Sequence, residues 1–162
     1  MMQDLAALGL APDAVLVGAS GGGLAAGIAL AVKDASPETE VYAVEPAGFD
    51  DTLRSFASGR RESNARMSGT ICDALMSASP GALTFPITRK LIGQGFTVSD
   101  DEVARAVRYA FEELKLVVEP GGAVGLAALI AGKLDVRGMV VAAVLSGGNV
   151  DAALFATLIA SE

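Results

Sequence analysis

Along the chain, short apolar runs that stop at glycine or proline alternate with longer stretches whose apolar residues recur at helical spacing. "AVLVG" (14–18) is a β-branched run ending at Gly18, and "LAAGIALAVKDA" (24–35) keeps a helical period until Ser36-Pro37 ends it. Strand, tight turn and helix therefore follow one another. "EVYAVEP" (40–46) predicts the next strand, closed by Pro46, and the β-α-β unit so formed requires its two strands to be parallel. "RGMVVAAVLSGG" (137–148) predicts a third, strongly buried strand near 139–145 that again ends in a Ser/Gly turn. Continuous apolar strands with glycine at their carboxyl ends predict an α/β fold: a three-layer parallel sheet with helices on both faces.

Ser99 and Glu102 form an S-x-x-E capping box ahead of Val103, Val107, Ala110, Phe111 and Leu114, so "SDDEVARAVRYAFEELK" predicts a helix. "PGGAVGLAALIAG" (120–132) predicts another, packed closely through small residues. Residues 58–70 are polar, flanked by glycine and aperiodic, which predicts an exposed mobile loop. No repeat, low-complexity tract or linker divides the chain, and a single domain over 1–162 is expected.

Composition narrows the function. Hydrophobic residues make up 52% and charged residues 19% of the 162, with 19 glycines and no tryptophan, which predicts a dense core of small side chains. A net charge of −7 with no basic cluster stronger than Arg60-Arg61 excludes nucleic acid and anionic membranes as partners. Small molecules and other proteins remain. The single Cys72 rules out an internal disulfide, fits a reducing cytoplasm and is expected to be buried and inert. Ala14 to Val32 is uncharged for 19 residues, but "GASGGG" puts poor helix formers within it, so no membrane span is expected. "MMQDLAALGL" lacks the basic start of a signal peptide.

The Gly/Ser knot after the first strand admits four readings. Gly18-Ala19-Ser20-Gly21-Gly22 fits the G-x-S-x-G elbow of a hydrolase, but the chain has no histidine to act as the usual base. Gly18, Ser20 and Gly23 occupy G-x-G-x-x-G spacing, and Glu45 ends the next strand where an NAD-binding domain places its ribose-binding acid. The glycines could also serve only close helix–strand packing. In the fourth reading, the backbone N–H groups of Ser20 to Leu24 cradle one phosphate at a helix start.

Read in order, "GASGGGLAAGIA", "AVEPAGFDD", "FTVSDDEV", "VEPGGAVGLAAL" and "VLSGGNVD" resemble the second half of a threonine dehydratase or serine racemase, fold-type II enzymes that use pyridoxal 5′-phosphate. The resemblance runs from Val15 to Asp151. It implies that Ser20, Gly21, Gly22, Gly23 and Leu24 hold the cofactor phosphate, with serine where the family has the first of four glycines. It also implies that Ser146 faces the pyridine nitrogen and that Glu119 lies near the cofactor ring, although Glu119 could equally cap the helix after Pro120. Glu45, the Phe49 carbonyl and Asp51 match the family's divalent-cation site, for Mg²⁺ or Ca²⁺; an acidic helix start is the alternative.

The same resemblance implies what these residues lack. The family's Schiff-base lysine sits in an S-x-K-x-R-G-like segment, and Lys33, Lys90, Lys115 and Lys133 all stand in other contexts. No catalytic residue is assigned within the chain, and the missing amino-terminal half is the expected partner, along with an amino-acid substrate and a second copy in a homodimer. The implied activity is deamination of a hydroxy-amino acid to a 2-oxo acid and ammonia, absent from the chain alone. An anion-binding assembly module and a Rossmann-like NAD-binding domain are the competing expectations.

Overall fold

The computed structural model describes residues 1–160; the last two residues of the expected domain lie outside them. Helix α1 (Met2–Ala7) leads into strand β1 (Ala14–Gly18), helix α2 (Gly23–Ala35) and strand β2 (Glu40–Pro46). Helix α3 (Asp51–Ser58), a single 3-10 turn (Asp73–Leu75), helix α4 (Thr84–Leu91) and strand β3 (Gly95–Val98) follow. Helices α5 (Asp100–Glu112) and α6 (Pro120–Ile130), strand β4 (Val141–Ala143) and helix α7 (Ala152–Ala160) complete the described chain.

The strands pair in the order β3-β2-β1-β4, and all three pairings are parallel. Ala14 lies opposite Glu40 on one side and Val141 on the other, so β1 is central. Because side chains alternate across a strand, Leu16 belongs to the core shared with α5, α6 and α7, while Val15 and Val17 join the core of α2. Both faces are thus covered, as the apolar runs predict. Val15, Leu16 and Val17 are fully buried, and each such side chain contributes about 1.5–3 kcal/mol relative to exposure.

Helix α5 begins as its sequence demands. Ser99 Oγ accepts from Glu102 N at 3.2 Å and Glu102 Oε2 accepts from Ser99 N at 2.8 Å, the two halves of the capping box. The third expected strand needs correction. Only Val141–Ala143 pairs, and these residues are half-buried rather than strongly buried, because β4 is an edge strand bonded to β1 alone. Strand β3 went unpredicted; four residues ending at a helix cap carry too short an alternation to be read. The 58–70 stretch is irregular after α3 and mostly exposed.

Candidate cofactor site

The carboxyl ends of β1 and β4 bring two glycine-bearing turns together. Ser20, Gly21, Gly22, Gly23 and Leu24 line one side of a cavity of about 390 Å³, and Ser146 and Glu119 line another. Gly18, Ala25, Ala74, Leu75, Ser77 and Gly121 complete the wall. Every residue expected to touch the cofactor is therefore at one cleft, at the sheet edge where α/β folds bind ligands.

Gly22 is the N-cap of α2 and has φ 84°, a left-handed conformation in which a β-carbon is strained. No side chain caps α2. Its first amides are thus left for an anion, and the helix dipole adds about 0.3–1 kcal/mol to the attraction. The carbonyls of the same loop are engaged elsewhere: Ser20 O accepts from Thr52 Oγ1 at 3.3 Å, and Gly21 O accepts from Gly81 N at 3.0 Å and Thr84 Oγ1 at 2.6 Å. The Ser20 hydroxyl is hydrogen-bonded to that of Ser77. Together these features leave an uncapped helix start at the cavity wall with the carbonyls of Ser20 and Gly21 engaged by α3, α4 and Gly81.

Ser146 is placed by close backbone packing against α6. Ser146 N donates to Gly122 O at 3.3 Å, and a β-carbon on Gly122 would fall 1.9 Å from Ser146 O. Only glycine permits that approach. Glu119 is the N-cap residue of α6, but its side chain makes no capping bond; its Oε2 accepts from Asn149 N at 3.0 Å, while Glu119 N donates to Gly147 O at 3.3 Å. It therefore straps the 147–149 turn beside Ser146.

Glu45, Phe49 and Asp51, the residues expected to hold a cation, do not line this cleft. Glu45 is fully buried, and its two oxygens accept from Thr52 N at 3.2 Å and Leu53 N at 3.0 Å, so it closes the start of α3. That engagement removes it as a ribose ligand and with it the support for an NAD site. Burial pushes the Glu45 carboxyl up to about 8, and the nearby Asp51 charge pushes the same way against the helix amides. Burial also raises Asp51, whose Oδ1 accepts from Asn64 Nδ2 at 2.6 Å. Asp51 Oδ2 is buried with no partner. Of the oxygens expected to hold a cation, Asp51 Oδ2 is the one left without a partner, whereas both Glu45 oxygens are engaged by the first amides of α3. Among the described residues no group of three or more His, Cys, Asp or Glu side chains is placed to hold a metal.

Sequence reasoning missed Thr52, Ser77 and Thr84, since each reaches the loop from 32 to 63 residues away. Asn64 was missed as well. It ties the polar loop to the site by donating to Asp51 and, at 2.9 Å, to Ser77 O. None of the four lysines lines the cavity. Lys33 Nζ donates to Pro37 O, Lys115 Nζ to Glu112 O, and Lys133 pairs with Glu102. Cys72 is buried and its thiol is pushed up to about 12 by that burial, which makes it unreactive.

A parallel α/β sheet with an uncapped, glycine-rich helix start facing a serine-bearing turn defines a protein built to hold a phosphorylated ligand. Residues 1–147 match the family described as "Pyridoxal-phosphate dependent enzyme", and the chain belongs to that family. It is 40% identical to an L-threo-3-hydroxyaspartate ammonia-lyase of Pseudomonas sp over 147 residues, which are 91% of this chain and 46% of that protein. It is 38% identical to an L-threonine ammonia-lyase of Thermotoga maritima over 155 residues, 93% of this chain and 36% of the other. The structure of maize serine racemase superposes with a TM-score of 0.84 at 34% identity, covering 96% of this chain and 48% of that one. A threonine deaminase structure from T.th. gives 0.87 at 40% identity, covering 93% and 50%. The chain thus spans about half the length of these relatives. No helix among the described residues is long and apolar enough to cross a membrane.

Proposed function

We propose that this chain is the phosphate-holding part of a pyridoxal phosphate-dependent ammonia-lyase that converts a hydroxy-amino acid such as threonine or serine to a 2-oxo acid and ammonia. The observation that carries the reading is that Ser20 to Leu24, at an uncapped helix start, and Ser146 line one cavity while the carbonyls of Ser20 and Gly21 are engaged by threonines outside it. Pyridoxal phosphate, when bound, supplies the electron sink for breaking a bond at the substrate's α-carbon. In this chain the amides of Ser20 to Leu24 bind the phosphate. Ser146 presents a hydroxyl to the ring nitrogen, a neutral partner suited to loss of a β-hydroxyl. Glu119 keeps that serine in place through the 147–149 turn, and Glu45, Phe49 O and Asp51 would be the oxygens that hold Mg²⁺ or Ca²⁺, with Asp51 Oδ2 the unpartnered one.

The anchoring lysine lies outside these 162 residues in this reading. The part that carries it packs on β4, whose outer edge is unpaired and whose residues stay half-buried. A homodimer is the expected assembly of the whole. The test is activity by complementation. The chain alone, with pyridoxal phosphate, releases no 2-oxo acid from threonine or serine, and a lysine-bearing segment covering the remainder of the relatives restores release when supplied in trans or fused. Turnover by the lone chain, abolished by replacing one of its four lysines, contradicts the proposal.

A further inference from the structure

The peptide groups of the anion loop are oriented by hydroxyls that stand outside the cavity. In a planar trans peptide the carbonyl and the following N–H point in opposite directions. Thr84 Oγ1, 2.6 Å from Gly21 O, together with Gly81 N, 3.0 Å from the same oxygen, therefore draws that carbonyl toward the start of α4 and aims Gly22 N–H away from it. On the other flank, Thr52 Oγ1, 3.3 Å from Ser20 O, draws that carbonyl toward α3 and aims Gly21 N–H away from α3. Gly21 and Gly22 line the cavity, whereas Thr84 and Thr52 do not.

Thr84 is placed for this task rather than for the needs of its own helix. A threonine at a helix start commonly caps local amides. Here the N-cap is Leu83, no side chain caps α4, and the Thr84 hydroxyl reaches across to a residue 63 positions earlier. Its nearer acceptor is Gly21 O, since Gly81 O lies 3.2 Å away. The loop also packs directly on it: a β-carbon on Gly22 would fall 2.8 Å from Thr84 Oγ1.

We propose that Thr84 is a positioning residue for the anion cradle, its hydroxyl fixing the peptide plane that presents Gly22 N–H to the ligand's phosphate. The inference rests on the reading of this loop as a phosphate cradle. It is tested by calorimetric titration of the full chain with inorganic phosphate, comparing Thr84→Val, which removes the hydroxyl and keeps the shape, with Thr84→Ser, which keeps the hydroxyl. Thr84→Val is expected to bind phosphate about fivefold to tenfold more weakly, the equivalent of roughly one hydrogen bond, and Thr84→Ser within about twofold of the unsubstituted chain. Circular dichroism shows whether each variant keeps its fold. Unchanged affinity in a folded Thr84→Val overturns the proposal, as does a Thr84→Ser variant as weak as Thr84→Val, which would assign the loss to packing of the methyl group. If Thr84→Val does not fold, Thr52→Val probes the same geometry from α3, with a smaller loss expected from its longer contact, and no loss there overturns it. Absence of phosphate binding by the unsubstituted chain is a separate result: it removes the cradle, and this proposal with it.

Discussion

Replacing Gly22 by alanine should damage fold and site together, by an amount that follows from its surroundings. An alanine held near φ 84° costs about 1–2 kcal/mol relative to glycine. Its β-carbon would stand 2.8 Å from Thr84 Oγ1 and 3.1 Å from Thr84 Cβ, so the threonine must rotate and release Gly21 O. That hydrogen bond is worth about 0.5–1.5 kcal/mol, and the total destabilisation is roughly 1.5–3.5 kcal/mol. Against a typical domain stability of about 5–15 kcal/mol, the urea midpoint should fall clearly with its slope unchanged. Gly23→Ala is the control. Gly23 opens α2 with no atom within 4 Å of an added β-carbon and no positive φ, so alanine there should be neutral to stabilising by up to about 1 kcal/mol. Equal urea midpoints for the two variants would refute the argument from Gly22's geometry.

Three further outcomes follow from the acidic pair and the strap. Because the Glu45 carboxyl lies near 8 when folded, above an ordinary 4.5, the folded state keeps a proton that the unfolded state releases. Stability in metal-free buffer should therefore fall as pH rises from about 4.5 to 8. Glu45→Gln should flatten that fall in urea titrations at pH 5, 7 and 9, and an undiminished slope would count against it. Millimolar Mg²⁺ or Ca²⁺ should raise the thermal midpoint, since a ligand of the folded state alone stabilises it, and Asp51→Asn should remove the rise. A midpoint insensitive to metal would leave the pair as a buried helix start. Glu119→Ala should cost about 1–2 kcal/mol and speed amide exchange at Asn149, whose N–H it binds; unchanged exchange would mean that the turn is held otherwise.

The parts of the fold that the sequence revealed are those written in local patterns. β1, α2 and β2 follow from apolar runs punctuated by glycine and proline, and α5 from its capping box. The glycine loop was recognisable because it stands at the end of an apolar strand, and Ser146 through the family resemblance of "VLSGGNVD". What stayed hidden depends on contacts between distant segments. α7 is apolar all round, "AALFATLIA", and shows no amphipathic period, although Asp151 Oδ1 accepts from Ala153 N and Leu154 N as an N-cap does. Glu45 could be read as a ribose ligand or a metal ligand but not as the closure of α3, because that helix begins beyond a proline bend. The threonines that orient the loop carbonyls carry no local signature, since a surface threonine and a positioning threonine look alike until the chain is folded.

The central claim is that these 162 residues hold pyridoxal phosphate through its phosphate group, with no lysine of their own in the site. Titration of the chain with pyridoxal phosphate, followed by borohydride treatment and mass spectrometry of its peptides, tests this most directly. The account predicts saturable binding displaced by inorganic phosphate, an unshifted free-aldehyde absorbance, and no stoichiometric adduct. A single stoichiometric adduct at Lys33, Lys90, Lys115 or Lys133, or binding that phosphate does not displace, would contradict it.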